Sequence, residues 1–191
     1  MNGALSEDRA AAPRPRLRTT ANALTALRLV SAPVAALAVH RGASLLALAL
    51  FALAVATDLL DGKLARRHGE ASPLGGLFDH ATDASFVSLG LLAYAMSGVV
   101  PLLLPLLVAA AFLQYVLDSR ALRGRTLRGS VLGRWNGVAY YVLLGIPVVR
   151  DGVGLGWPPN ALVRSLGWAL VATTLLSMAL RARLWPAARR S

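Results

Sequence analysis

Long apolar segments separated by short polar ones dominate the sequence. Each is about as long as the helix of roughly 20 residues that crosses the hydrocarbon core of a bilayer. The six segments occupy approximately positions 21–39, 43–64, 76–97, 100–117, 134–149 and 160–180. This pattern predicts an all-α membrane protein, a bundle of six transmembrane helices.

The composition agrees with a single membrane domain. Of the 191 residues, 56% are hydrophobic and 15% are charged, and the mean hydropathy is +0.57. A soluble domain of this size is usually more polar. Because the connections between the segments are short, we expect one six-helix transmembrane domain at 21–185. A basic N-terminal tail at 1–20 and a basic C-terminal tail at 186–191 flank it.

The positions of the positive charges predict an orientation in the membrane. The net charge is +11, and basic residues cluster before the first segment, between segments two and three, between four and five, and after the sixth. Loops rich in Lys and Arg stay on the cytoplasmic side. We therefore expect a multi-pass protein of the bacterial plasma membrane with cytoplasmic termini, and no nucleic-acid partner. The chain has no cysteine, which excludes disulfides and thiolate metal sites.

Five of the nine acidic residues fall within 26 positions, at the junction of the second and third segments, and four of these are aspartates: Asp58, Asp61, Asp79 and Asp83. The first two are three residues apart and the last two are four apart, so each pair shares one face of a helix. A helical hairpin brings both pairs to the same depth, at the cytoplasmic boundary. Such a carboxylate cluster suits hard divalent cations and the phosphates they carry. The alternative is a buried salt-bridge network with nearby arginines and no catalysis.

Two further patterns in the sequence are informative. Gly62 and Ala65 are small residues three apart, and with Arg66 they favour a slot for a ligand over simple close helix packing. On the first segment, polar residues recur at every third position, at Asn22, Thr25 and Arg28. This stripe is either a helix cap followed by an arginine reaching for the interface, or a face turned toward an anionic ligand.

These residues together carry a resemblance. The run Asp58-x2-Asp61-Gly62-x2-Ala65-Arg66-x8-Gly75-x3-Asp79-x3-Asp83 resembles, at every fixed position, the signature of the CDP-alcohol phosphatidyltransferase family. The Asn22-x2-Thr25-x2-Arg28 stripe is similar to the opening of that family's first helix. The family has six transmembrane helices with the signature across helices two and three, as expected here.

The resemblance implies a catalytic membrane domain of phospholipid biosynthesis. Members of the family transfer a phosphatidyl group from CDP-diacylglycerol to an alcohol, release CMP, and use two divalent cations, Mg²⁺ or Mn²⁺. It implies a homodimer as well. The implied metal ligands are Asp58, Asp61, Asp79 and Asp83. The last of these is also the implied general base.

The resemblance also implies a nucleotide site. The implied CDP-binding residues are Gly62, Ala65, Arg66, Asn22 and Thr25. Gly75, which completes the signature, is expected to shape the backbone.

The sequence leaves the identity of the acceptor alcohol undecided. Family members that use glycerol phosphate often have a Gly-Lys pair and a nearby Thr at the start of helix five, where this chain has Gly133-Arg134-Trp135-Asn136. Arg28, Arg128 and Arg134 are the candidate acceptor-binding residues. Glycerol 3-phosphate, inositol phosphate and other polar alcohols all remain possible acceptors.

Two other functions compete with this hypothesis. An intramembrane Mg²⁺-dependent prenyltransferase also uses aspartate-rich motifs, but its two motifs lie far apart in the chain. A non-enzymatic cation transporter needs ionisable residues along a path through several helices, and segments four and six have no acid at their centres. Both alternatives therefore explain less of the pattern than a phosphatidyltransferase does.

Overall fold

The structure, a computed structural model, describes the backbone of residues 20–68, 73–119 and 131–188, and the side chains of 25–59, 75–117 and 131–183. These parts of the chain form six α-helices and contain no strand. The helices are α1 (Thr20–His40), α2 (Ser44–His68), α3 (Pro73–Met96), α4 (Leu103–Ser119), α5 (Val131–Gly152) and α6 (Asn160–Ala188).

The predicted all-α class and the number of helices are confirmed. The main difference lies between the second and third helices, whose apolar segments at 43–64 and 76–97 predict a longer connection. Instead α2 continues to His68 and α3 begins at Pro73. Proline is well suited to a first helical position, since its fixed φ is helical and the first turn needs no N–H donor.

By length and composition, one helical stretch among the described residues is sufficient to cross a membrane, Asn160–Arg183. Three shorter apolar helical stretches accompany it, at Thr25–His40, Ser44–Leu59 and Leu103–Leu117. Six transmembrane spans therefore stay a prediction.

The core joins all the helices through small residues and a few large aliphatic ones. On α1, Ala32 and Ala35 are buried, which lets α1 pack closely on both α2 and α3. Gly90 of α3 has the same effect toward α5, because a Cβ there would lie 2.9 Å from the Leu144 side chain. This packing holds α1, α2, α3 and α5 around one end of the bundle, where the acidic residues lie.

A polar cluster ties together the opposite end of the bundle. Arg150 donates hydrogen bonds to Asp151 Oδ1 (2.7 Å), to the Pro158 carbonyl (2.8 Å) and to Asn160 Oδ1 (2.7 Å). Tyr94 of α3 donates to the other carboxylate oxygen of Asp151, at 3.3 Å. Tyr94 lies 11 residues after Asp83, about 16 Å along α3 at 1.5 Å per residue. The cluster therefore stabilises the bundle at a distance from the acidic residues.

We expect Arg150→Ala to lower the free energy of unfolding by about 1–3 kcal/mol, because it removes charge-assisted hydrogen bonds from a side chain that is 11% exposed. Thermal unfolding of the purified protein measures the effect. Arg41→Ala, which removes the same charge from an exposed position at the end of α1, is the control. Equal melting temperatures for the two variants would contradict the prediction.

Candidate active site

One arginine lies at the centre of the acidic cluster. The side chain of Arg28 on α1 is fully buried, and its Nη1 atom contacts Oδ1 of three aspartates on α2 and α3. The distances are 3.3 Å to Asp58, 3.2 Å to Asp79 and 2.6 Å to Asp83. A buried guanidinium requires such partners, because its desolvation is costly. With one positive and three negative groups, these four side chains have a net charge of −2 when ionised.

Local helix geometry explains why the carboxylates meet. Asp79 and Asp83 are one turn apart on α3, and α1, which packs on both α2 and α3, joins Asp58 to them through Arg28. Two neighbouring buried hydroxyls bond to their own helices. Thr57 donates to carbonyls of its own helix at 2.9 and 3.0 Å, and Thr82 donates to the Phe78 carbonyl at 2.9 Å.

The three carboxylates remain accessible although the arginine between them is not. Their side chains are 44% (Asp58), 35% (Asp79) and 23% (Asp83) exposed. Ligand atoms of Asp79, His80 and Asp83 also lie within 4.8 Å of one another. Carboxylate oxygens are the donors that hard divalent cations prefer. The residues present thus fit such a cation, and Arg28 leaves the cluster negative and open.

A tyrosine on α5 completes the surroundings of Asp83. The Tyr141 hydroxyl donates to Asp83 Oδ1 at 2.9 Å, the oxygen that also contacts Arg28. The Tyr141 ring is nearly parallel to that of Phe86, with centroids 6.5 Å apart. Tyr141 is not among the residues that the sequence singles out. It lies 58 positions after Asp83, and no local pattern distinguishes it from an ordinary tyrosine of an apolar helix.

A cavity of about 790 Å³ opens beside the cluster, between α3, α4, α5 and α6. Asp58 and Asp83 form part of its wall, and Arg134 of α5 and Arg181 of α6 also line it. Much of the remaining wall is apolar, including Val87, Val108, Phe112 and Met178. The cavity therefore offers carboxylates and cationic groups to one molecule.

Arg181 is held by an aromatic ring within this cavity. Its guanidinium lies over the ring of Tyr115 on α4, 5.2 Å from the centroid, a favourable cation–π distance. The edge of the Tyr115 ring meets His80, with 5.7 Å between the ring centroids. In the sequence, Arg181 is only one of the basic residues after the last segment, because its contact with Tyr115 of α4 depends on helix packing.

The structure brings together four of the residues singled out in the sequence, Arg28, Asp58, Asp79 and Asp83, and places Arg134 in the adjoining cavity. Thr25 is buried on α1, one turn before Arg28. The other candidates are not among the described side chains. They are Asn22, Asp61, Gly62, Ala65 and Arg66, which lie on described helices, and Arg128, which lies outside the described residues altogether.

Comparison with known proteins agrees with this site. The family model described as CDP-alcohol phosphatidyltransferase matches residues 18–180. This range covers the first five helices, most of α6 and the acidic cluster. The chain belongs to the CDP-alcohol phosphatidyltransferase family, a family of transferases. The resemblance seen in the sequence is thereby confirmed, and the prenyltransferase and transporter hypotheses lose their support.

The curated relatives have related names. A probable phosphatidylglycerophosphate synthase of Mycobacterium tuberculosis is 40% identical over 96 residues, which cover 47% of this chain and 46% of that one. The chain thus spans about half the length of that relative. A CDP-diacylglycerol–glycerol-3-phosphate 3-phosphatidyltransferase of Cereibacter sphaeroides is 32% identical over 78% of this chain and 75% of its own. A CMP-forming cardiolipin synthase of Streptomyces coelicolor is 31% identical over 68% and 61%. No solved structure matches the chain.

Proposed function

We propose that this protein transfers a phosphatidyl group from CDP-diacylglycerol to a small polar alcohol in phospholipid biosynthesis, and that the alcohol is glycerol 3-phosphate. The acceptor hydroxyl forms a new bond to the phosphatidyl phosphorus, the bond from that phosphorus to CMP breaks, and CMP is released. The observation that carries this proposal is the convergence of Asp58, Asp79 and Asp83 on Arg28 beside a cavity, in a chain of this family.

The cofactors in this proposal are two divalent cations, Mg²⁺ or Mn²⁺. The residues that would hold them are Asp58, Asp61, Asp79 and Asp83, and Arg28 offsets part of the remaining negative charge. When bound, such cations supply electrophilic stabilisation of the diphosphate and of the departing CMP. Gly62, Ala65 and Arg66, with Asn22 and Thr25, are proposed to bind the nucleotide, as the family signature implies.

Asp83 is the proposed general base. It lines the cavity next to the other carboxylates, so an acceptor bound in the cavity comes within its reach. Its carboxylate takes the proton of the attacking hydroxyl, which requires hydrogen-bond distance in the substrate complex.

Two arginines are proposed to bind the phosphate of the acceptor. Arg134 and Arg181 line the cavity from α5 and α6, and the aromatic contact with Tyr115 orients the second of them. Arginine is well suited to phosphate because its planar donors match the phosphate oxygens. The names of two relatives refer to glycerophosphate or glycerol-3-phosphate, which favours this acceptor over inositol phosphate. Arg28, buried among carboxylates, is assigned here to the acidic cluster rather than to the acceptor.

We expect Arg181→Ala to raise the KM for glycerol 3-phosphate at least about tenfold, in line with the loss of a charged hydrogen bond. The KM for CDP-diacylglycerol should change little. Steady-state kinetics in detergent micelles measure both constants. Arg183→Ala, an exposed arginine two residues further along α6, is the matched control. An equal KM for glycerol 3-phosphate in the two variants would exclude Arg181 from the acceptor site.

A multi-pass membrane location is part of the proposal, with the site at the cytoplasmic side. Each of the six helices exposes large apolar side chains, a distribution that a soluble monomer rarely shows and that lipid would cover. Examples are Val30 and Val34, Leu46 and Leu53, Phe78 and Met96, Leu106 and Leu113, Val138 and Val142, and Leu166 and Leu176. An interfacial site lets the acyl chains of the donor stay in lipid. We also propose a homodimer, as the family resemblance implies.

The decisive experiment offers the purified protein CDP-diacylglycerol, Mg²⁺ and one alcohol at a time, and measures CMP. The panel contains glycerol 3-phosphate, inositol phosphate, glycerol and inositol. CMP release with glycerol 3-phosphate well above the other alcohols supports the full proposal. Release with another alcohol replaces the acceptor and keeps the reaction. No release with any alcohol rejects the proposed reaction.

A further inference from the structure

We propose that Tyr141 is a positioning residue for Asp83, which orients this carboxylate for cation binding and for proton transfer. The role in proton transfer rests on the proposed function. The role in orienting the carboxylate rests on the geometry of α3 and α5. Tyr141 lies outside the family signature found in the sequence, which ends at Asp83.

The hydrogen bonds to Asp83 are asymmetric. Arg28 Nη1 at 2.6 Å and the Tyr141 hydroxyl at 2.9 Å both donate to Oδ1. The two donors come from different helices, α1 and α5, and so restrain rotation of the carboxylate from two sides. The two oxygens of this carboxylate therefore have different roles in the proposal. Oδ1 accepts hydrogen bonds from the protein, and Oδ2 faces the cation and the acceptor hydroxyl.

Tyr141 is itself well anchored. Its ring lies parallel to Phe86, at an interplanar angle of 9°. Phe86 is buried and follows Asp83 by three residues on α3, so one face of that helix carries both the carboxylate and the ring that holds its donor. A hydrogen bond from a rigid partner orients a ligand better than one from a mobile side chain. Loss of such a partner typically costs about 10- to 100-fold in metal affinity or activity.

The chain offers a matched control. Tyr94 is likewise a tyrosine of a helix, and its hydroxyl donates to an aspartate, Asp151, at 3.3 Å. It belongs to the polar cluster at the far end of the bundle. Tyr94→Phe and Tyr141→Phe therefore remove the same hydroxyl and the same kind of hydrogen bond, but only the second change affects Asp83.

The first test measures Mn²⁺ affinity of the full-length protein by electron paramagnetic resonance, without substrates. Tyr141→Phe should weaken Mn²⁺ binding at least about tenfold, and Tyr94→Phe should leave it within about twofold of the wild type. In turnover assays, Tyr141→Phe should lower kcat by a similar factor and leave both KM values within about twofold. Thermal unfolding of the two variants separates these effects from a general loss of stability.

The second test combines Tyr141→Phe with Asp83→Glu, which displaces the carboxylate by one methylene. If Tyr141 acts through the position of this carboxylate, adding Tyr141→Phe to the Glu variant should change Mn²⁺ affinity and kcat less than about twofold, a strongly non-additive result. Effects that multiply would overturn the inference. So would equal Mn²⁺ affinities and equal kcat values in the two Tyr→Phe variants.

The Mn²⁺ measurement also separates this inference from the proposed function. A wild-type protein that binds Mn²⁺ and releases no CMP rejects the proposed reaction, and the affinity comparison alone then decides the role of Tyr141. A wild-type protein that binds no Mn²⁺ overturns the role of Tyr141 together with the cation site.

Discussion

Asp83→Asn is expected to lower CMP release by at least about 10²-fold, the lower end of the range for loss of a general base. The amide keeps the size of the carboxylate and can still accept hydrogen bonds from Arg28 and Tyr141, but it cannot take the proton of the acceptor hydroxyl. It also removes one negative ligand from the cation site. Initial rates with CDP-diacylglycerol and glycerol 3-phosphate, at saturating Mg²⁺, measure the loss.

Asp151→Asn is the matched control for this variant. Asp151 also accepts hydrogen bonds from an arginine and a tyrosine, at the opposite end of the bundle. We expect it to melt at a lower temperature than the wild type and to retain CMP release. Substantial release by Asp83→Asn, or an equal loss of activity in both variants, would show that Asp83 is not the base.

Removal of divalent cations is expected to stop the reaction. Without them the acidic cluster has too little positive charge to stabilise a diphosphate, because Arg28 neutralises only one of its carboxylates. We expect EDTA to abolish CMP release, and excess Mg²⁺ or Mn²⁺ to restore it. Initial rates before and after the cation is returned measure this effect.

Thermal unfolding provides a readout that does not depend on turnover. A cation that binds only the folded protein raises its stability by mass action, so EDTA should lower the melting temperature of the wild type. The shift should be much smaller in Asp83→Asn, which has lost a ligand. Unaltered turnover after EDTA treatment would contradict the metal dependence.

The clustering of the aspartates could be predicted from their spacing in the sequence, but the position of Arg28 could not. The three- and four-residue spacings predicted that Asp58, Asp79 and Asp83 would share one site, and the structure brings them together on a single nitrogen. For Arg28, the stripe on the first helix left open whether it reaches the interface or faces a ligand. The structure buries it among the carboxylates, which depends on how α1 packs against α2 and α3.

The orientation of His80 likewise depends on a neighbouring helix. Adjacent residues of a helix point about 100° apart, so helix geometry alone directs His80 away from Asp79. The ligand atoms of His80, Asp79 and Asp83 nonetheless lie within 4.8 Å, and the ring of His80 meets Tyr115 of the next helix. A long side chain with a neighbour on another helix is oriented by that neighbour as well as by its own backbone.

The sequence by itself determined the six helices, the pairing of the aspartates and the family, because each depends on features local to the chain: the length of apolar runs, the 3.6-residue helical period and fixed spacings within 26 residues. Only the tertiary structure decided which groups complete the site. Tyr141 and Arg181 lie 58 and 98 residues after Asp83. Their proximity to the site follows from the rotation and packing of α5 and α6 against α3 and α4, which no helical period specifies.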